Sequence, residues 1–200
     1  MIAAALAAVL LGPADLQASD GFPDQCGKYR WPVKTLTDRA AANVDLNPRP
    51  TSVARLRKLK LHPDKLTSTT PRLPVETKTR TIKDVRLRRF SLAEDQDIHL
   101  VVAGKSGRTM IVEFLLPACT ERANHPVYKP GARDLMTQAR AALAAACGQP
   151  SPDSFTKLRG RATITGVVFS DFVHGQAGVA PNGVELHPVT AFASRSCRHR

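Results

Sequence analysis

The sequence predicts a mainly β fold with one main helix, arranged as a five-stranded, partly open barrel of the OB type. Two β-rich runs joined by a short loop with glycines at both ends indicate a hairpin, and an earlier β-rich run precedes it. One helical pattern comes next, followed by two β-branched runs. This order of strand, hairpin, helix and strands is that of an OB barrel, and the alternative is a small α+β sheet with one covering helix.

The first half of the predicted β domain, which spans residues 75–192, contains a long strand and the hairpin. Residues 75–92 alternate loosely between apolar and basic side chains and predict one long bent strand or two. Residues 97–103 and 108–116 predict the hairpin, because they are β-rich and flank a four-residue loop at 104–107.

The second half of the domain contains the helix and the last two strands. Residues 132–147 place apolar side chains at helical spacing, and Gly148 follows as a stop signal. Residues 161–170 and 184–192 are rich in β-branched and apolar side chains, so we expect a strand in each.

The segments outside the β domain have few periodic apolar positions. Residues 19–74 are rich in proline and predict an extended arm with one short strand at residues 31–35. Within this arm, Thr51 is suited to cap a short, strongly basic helix over residues 51–61. Residues 193–200 form a basic tail.

The first 18 residues resemble a secretory signal peptide. An apolar run at residues 2–11 is followed by Gly12, Pro13 and small residues, and we expect cleavage near Ala18. The run is too short for a membrane span, which needs about 20 apolar residues. No later stretch is long and apolar enough to span, so we expect a periplasmic or extracellular protein without a membrane span after signal removal.

All four cysteines lie after the expected cleavage point, and none forms a C-x-x-C pair. An even number of cysteines in an exported chain favours disulfides over metal thiolates. Three pairings are open among Cys26, Cys119, Cys147 and Cys197.

The chain carries a net charge of +12. Such a charge favours polyanionic partners, either nucleic acid or an acidic envelope polymer, through an attraction that salt weakens. The same charge is also compatible with a role in solubility alone. The short basic helix presents either a face for a polyanion or an ordinary solvated side, since no aromatic residue is interleaved for base stacking.

Acids and histidines recur at strand positions and form the first set of candidate site residues. Residues two apart on a strand share a face, so Asp97 lies beside His99, and Glu185 lies beside His187. The face of Glu113 depends on the hairpin register. A four-residue loop places Glu113 on the opposite face from His99, whereas a one-residue bulge brings the two onto one face.

The loop that precedes the last strand supplies the second set of candidates. Gly175, Gly178 and Gly183 let backbone amides approach an anion, although Asn182 with Gly183 also fits an ordinary turn. The chain has neither the P-loop nor the dinucleotide-binding pattern, and no serine lies in a nucleophile elbow. The candidate binding residues are Asp171, His174, Asn182, Glu185 and His187.

If these faces converge, imidazoles and carboxylates can bind a divalent metal or act as general acid and base. The candidate catalytic residues are then Asp97, His99 and Glu113, and the candidate metal ligands are His99, His174 and His187. The alternative is structural, with the acids paired to arginine and lysine and the histidines hydrogen-bonded to loop backbone.

Several runs resemble a family of small exported bacterial proteins. The resemblance lies in Arg-Trp-Pro-Val-Lys-Thr at residues 30–35, Asp-Gln-Asp-Ile-His-Leu at 95–100, Ile-Val-Glu at 111–113, and residues 167–189 with their Glu-Leu-His-Pro ending. It implies export but no activity. The acidic entry to the hairpin also faintly resembles the barrel of thermonuclease-like proteins, although the chain lacks their Asp-Gly-Asp element.

Three functional hypotheses follow from the sequence. The first is an exported OB-like module that binds an anionic ligand or polyanion through its basic surface or the 171–183 loop. The second is a metal-dependent hydrolase of phosphodiesters, such as a nuclease. The third is a structural envelope protein.

Overall fold

A computed structural model describes residues 26–120, 129–152 and 154–200. The predicted signal peptide lies outside these residues. The strands are β1 (Asp45–Thr51), β2 (Lys78–Leu92), β3 (Ile98–Ala103), β4 (Thr109–Phe114), β5 (Thr156–Arg159), β6 (Arg161–Ser170), β7 (Val184–Ala193) and β8 (Arg198–His199). The α-helices are α1 (Trp31–Lys34), α2 (Val53–Leu56) and α3 (Ala132–Cys147). Short 3₁₀ turns cover Arg39–Asn43, Pro63–Lys65, Pro74–Thr77 and Pro117–Thr120.

Five strands close into a mixed barrel in the order β2, β3, β4, β7, β6 and back to β2. The pairing of β4 with β7 is parallel, and the other pairings around the barrel are antiparallel. With α3 between the third and fourth barrel strands, this arrangement confirms the predicted OB-like fold. The barrel is closed by the pairing of β2 with β3.

The elements with strong local patterns lie where the sequence predicts them. Both α3 and β6 have the predicted bounds, and Gly148 ends the helix with a positive φ of 77°. Of the segment at 75–92, residues 78–92 form one continuous strand, β2, with register shifts between Ile82 and Val85 and between Leu87 and Arg89, whereas residues 75–77 belong to a 3₁₀ turn. Three strands were not predicted: β1 lies parallel to β2 in the arm, and β5 and β8 extend the sheet beyond β2.

The prediction of a strand at residues 31–35 is wrong, because this segment forms α1. Pro32 lies in the first helical turn, where its missing N–H and fixed φ are compatible with a helix. The Thr35 side chain donates a hydrogen bond to the Trp31 carbonyl and closes the turn. The basic helix of the arm is shorter than predicted: α2 is one turn long, and Ser52 rather than Thr51 caps it.

Two hydrophobic clusters hold the arm and the barrel together. The barrel interior contains Phe90, Leu100 and Ile164 and is covered by the buried face of α3, which includes Leu143. A second cluster joins the arm to the outside of the barrel and contains Trp31, Leu36, Ala41, Val44 and Met136. The arm is therefore packed against the barrel, and its residues can contribute to a site there.

Two disulfides link distant parts of the chain. One joins Cys26 at the start of the arm to Cys119 after β4, and the other joins Cys147 at the end of α3 to Cys197 in the basic tail. Two disulfides are typical of an oxidising, exported environment. In the described ranges, no helix has both the length and the apolar character needed to cross a membrane.

Candidate functional site

The register of the β3–β4 hairpin decides which side chains share a face. The loop has one residue more than the four-residue loop, which is the second of the two alternatives that the sequence allowed. Ala103 pairs with Thr109, so the loop has five residues, and Gly107 adopts a positive φ of 81° within it. His99 therefore lies directly opposite Glu113. A glycine in this conformation is characteristic of a bulge at the end of a hairpin loop.

An acid-histidine cluster forms on the outer face of the barrel, where β3, β4 and β7 adjoin; it comprises Asp97, His99, Glu113, Glu185 and His187. The His187 ring lies between two carboxylates, with Nδ1 2.8 Å from Glu113 Oε2 and Nε2 3.2 Å from Asp97 Oδ2. On the other side of Glu113, Oε1 lies 3.3 Å from His99 Nδ1. Each of these five side chains is buried.

Lys34 completes this cluster from the arm, and sequence analysis did not identify it. Its Nζ lies 3.7 Å from Glu113 Oε2 and 5.4 Å from the centre of the Phe169 ring. Burial opposes the charged ammonium, but Glu113 and the neighbouring carboxylates outweigh it and raise the pKa of Lys34. Lys34 is therefore a fixed positive charge within a mostly acidic site.

The pKa values of the cluster residues shift in different directions. Burial alone would raise the pKa of Glu113, but Lys34 and the two imidazoles hold it well below its usual range. Burial together with the Glu113 charge raises the pKa of Glu185 well above its usual range. Burial and Lys34 oppose a charged imidazole, yet Asp97 and Glu113 raise the pKa of His187 to about 9. The site therefore contains proton donors and an ionised carboxylate close together.

Several polar atoms of the cluster have no hydrogen-bond partner. They are Asp97 Oδ2, both carboxylate oxygens of Glu185 and both ring nitrogens of His187. The distances around His187 are those of ion pairs, but these contacts do not meet the geometry of hydrogen bonds. The other oxygen of Asp97, Oδ1, accepts a hydrogen bond from the Leu116 N–H at 2.9 Å.

A cleft of about 440 Å³ gives access to the cluster. It lies between the loop that precedes β3 and the loop that precedes β7, which is the usual ligand position in an OB barrel. Burial, with Asp97 and Glu113 adding to it, raises the pKa of Asp95 on the rim to about 6. The cleft is lined by Tyr29, Trp31, Lys34, Asp95, His99, Glu113, Asp171, Phe172, His174 and Gln176, among others.

The candidate binding residues of the 171–183 loop do not all lie at the cleft. Asp171 is buried at the cleft, and burial raises its pKa. His174 also lines the cleft, but it is exposed and stacks on Phe172, with ring centres 4.2 Å apart. Asn182 lies apart from the cluster and donates hydrogen bonds to the carbonyls of Leu56 and Leu59. Its contacts are those of a residue that fixes the loop to α2.

A second surface, the basic groove, runs beside the barrel and was not predicted. It has a volume of about 720 Å³. Its cations come from β2, β5 and the C-terminus: Arg86, Arg88, Arg89, Lys157, Arg159 and Arg200. In the described part of the chain, none of these six side chains forms an ion pair.

Phe155 connects the basic groove to the acid-histidine cluster. The Arg89 guanidinium lies 4.7 Å from the centre of the Phe155 ring, and the His99 ring lies 5.5 Å from it edge-on. Among the described residues, Phe155 is also one of three large apolar side chains that are exposed, at 37%. The two surfaces are thus neighbours on one side of the barrel.

No protein-family model, curated protein or solved structure matches the chain.

Proposed function

We propose that this protein binds an anionic polymer along the basic groove. The observation that carries the proposal is the pairing of Arg89 directly opposite Lys157 in the sheet. Like charges opposite each other destabilise a sheet, and no carboxylate among the described residues pairs with either side chain. A bound polyanion would remove this repulsion.

The spacing of the cations supports a polymer rather than one small anion. Lys157 and Arg159 lie two apart on β5, with Leu158 buried between them. Alternate residues on a strand point to the same side and lie about 6.7 Å apart, so the groove presents a row of charges. A row of this kind suits successive phosphate or carboxylate groups.

The class of polymer follows from charge and compartment. The exposed aromatic residue beside the groove, Phe155, already packs against Arg89, so contacts to the anionic backbone rather than base stacking would supply the affinity. With export to the periplasm or beyond, the partner would be an acidic envelope polymer or extracellular nucleic acid. Both present regularly spaced anions.

The test compares a groove variant with a matched variant of the arm. The groove variant is Arg88→Gln/Lys157→Gln/Arg159→Gln, and the control is Arg55→Gln/Lys58→Gln/Lys60→Gln around α2. All six side chains are exposed, and each triple variant removes three charges. Binding of a fluorescent single-stranded oligonucleotide and of polyphosphate is measured by anisotropy across a salt series.

We expect the groove variant to lose affinity by about tenfold or more at 0.1 M salt, and the control to bind nearly as wild type. Because each phosphate contact adds about −0.7 to the slope of log K against log salt for a single strand, the slope should become shallower by about 2 in the groove variant. Equal losses in the two variants would show a non-specific effect of charge. No binding by wild type would overturn the proposal and favour a structural role.

A further inference from the structure

We propose that Asp97, Glu113 and His187 bind a divalent transition-metal ion of the Zn²⁺ or Mn²⁺ type. One ligand atom from each of these side chains lies within 4.8 Å of the other two. The residues come from three adjoining parts of the barrel: Asp97 directly precedes β3, Glu113 lies on β4, and His187 lies on β7. The inference does not depend on the proposed polyanion binding.

The unpartnered atoms of this trio are the second observation. Buried polar groups are ordinarily hydrogen-bonded, and an exception calls for an explanation such as a bound ion. Asp97 Oδ2 and both nitrogens of His187 have no hydrogen-bond partner although they lie 2.8 to 3.2 Å from a partner of the trio. Two ligands of one metal ion lie about 3.0–3.4 Å apart, given metal-to-ligand bonds of about 2.1 Å. The 3.2 Å between His187 Nε2 and Asp97 Oδ2 fits this spacing, and Glu113, which faces the other ring nitrogen, completes the trio within 4.8 Å.

Neighbouring groups hold the candidate ligands in place. The Leu116 N–H fixes Oδ1 of Asp97 and leaves Oδ2 directed at His187. His99 lies against Oε1 of Glu113, and its own Nε2 lies 3.2 Å from the Ala177 carbonyl. Such outer contacts orient metal ligands and are a regular part of metal sites. In this arrangement His99 is a positioning residue.

The surroundings favour a cation. Glu185 is only 1% exposed, and both of its carboxylate oxygens lack a hydrogen-bond partner. Together with Asp97, Glu113 and Asp171 it gives four buried carboxyl groups around one lysine, Lys34. Glu113 lines the cleft, so an ion can enter there.

The ligand set indicates the class of metal. Imidazole suits zinc and other transition metals, whereas carboxylates also suit manganese. One histidine with two carboxylates therefore favours a transition metal over Ca²⁺ or Mg²⁺. A metal held here is also a requirement of the hydrolase hypothesis, because it would activate water beside the cleft.

The experiment measures metal binding directly. Full-length protein is treated with a chelator, and ZnCl₂, MnCl₂ or MgCl₂ is titrated by calorimetry, with elemental analysis of the dialysed complex. We expect about one Zn²⁺ or Mn²⁺ per chain, a raised melting temperature and weaker binding of Mg²⁺. Loading with Co²⁺ should give the visible absorption of a site with nitrogen and oxygen ligands.

Variants locate the site. Asp97→Asn and His187→Gln preserve shape and should weaken Zn²⁺ affinity by about 100-fold or more, whereas the exposed His62→Gln serves as the control and should bind as wild type. His174→Gln should also retain binding, in contrast to the sequence-based hypothesis that His174 is a ligand. If one of these variants fails to fold, loss of Zn²⁺ binding in Glu113→Gln and the Co²⁺ spectrum of wild type test in its place whether the trio binds the metal. No stoichiometric metal in wild type, or equal binding by folded Asp97 and His187 variants, would overturn the proposal.

Discussion

Arg30 and Glu76 form a two-point ion pair that is completely buried between the arm and the barrel. Arg30 Nη1 donates to Glu76 Oε1 at 2.7 Å, and Nη2 donates to Oε2 at 2.6 Å. Both partners also bind the end of β6, since Arg30 donates to the Ser170 carbonyl and Glu76 accepts from the Ser170 N–H. Because Ser170 directly precedes the loop at the cleft, this pair fixes the position of the candidate site.

Breaking this pair should be costly. Arg30→Met leaves the Glu76 carboxylate buried without its guanidinium partner, and we expect a loss of about 3–5 kcal/mol in the free energy of unfolding. Urea denaturation followed by circular dichroism measures the loss. Arg161→Gln provides the matched control, because it removes a solvent-exposed ion pair with Asp84 and should lower the free energy of unfolding far less than Arg30→Met does. Similar losses in the two variants would contradict this account.

The disulfide between Cys147 and Cys197 should stabilise the protein by restricting the unfolded chain. The two cysteines are 50 residues apart, and closing a loop of this length corresponds to about 4 kcal/mol in the chain-entropy model. We expect Cys147→Ala/Cys197→Ala to lower the free energy of unfolding by about this amount in a urea titration. With dithiothreitol present, wild type should lose at least as much, since both disulfides are then reduced. No change in either experiment would refute the prediction.

Among the positions of α3, Leu143 should be the one at which truncation of the side chain lowers the stability of the fold most. Its side chain is fully buried in the barrel core, so Leu143→Ala removes core contacts and leaves a cavity. We expect a loss of about 2–5 kcal/mol in the free energy of unfolding. Gln138→Ala, on the exposed side of the same helix, should change it by about 0.5 kcal/mol or less. Thermal or urea denaturation of both variants makes the comparison.

The parts of the fold that sequence predicts well are those with a regular local pattern. The bounds of α3 and β6 agree with the prediction because apolar spacing and a glycine stop act within the element itself. By contrast, β1 contains Pro48 and Pro50, which weaken any strand signal, and β5 is only four residues long. These strands form because neighbouring chain segments supply their pairing partners.

The candidate site was only partly predictable for the same reason. Asp97 and His99 could be placed together from strand alternation, but the position of Glu113 depends on one extra loop residue, whose presence the composition of the loop did not decide. Lys34 enters from the arm, which was expected to be extended rather than packed. The pairing of Arg89 with Lys157 depends on a strand that was not predicted.

Asp171 should give the protein a stability that falls as pH rises. Burial raises the pKa of this carboxyl above its ordinary value, Lys34 opposes the rise, and Glu113 adds to it. The folded state therefore holds the proton more tightly than the unfolded state, and the free energy of unfolding decreases from about pH 4 upward through the folded pKa. Asp171→Asn should remove this decrease. The free energy of unfolding of the variant should then exceed that of wild type by an amount that is absent at low pH and grows until the pH passes the pKa of Asp171 in the folded state. Urea titrations at a series of pH values measure the difference, with Asp64→Asn as the control at an exposed carboxyl. An advantage that stays constant with pH, or that Asp64→Asn shares, would contradict the assigned role of burial at Asp171.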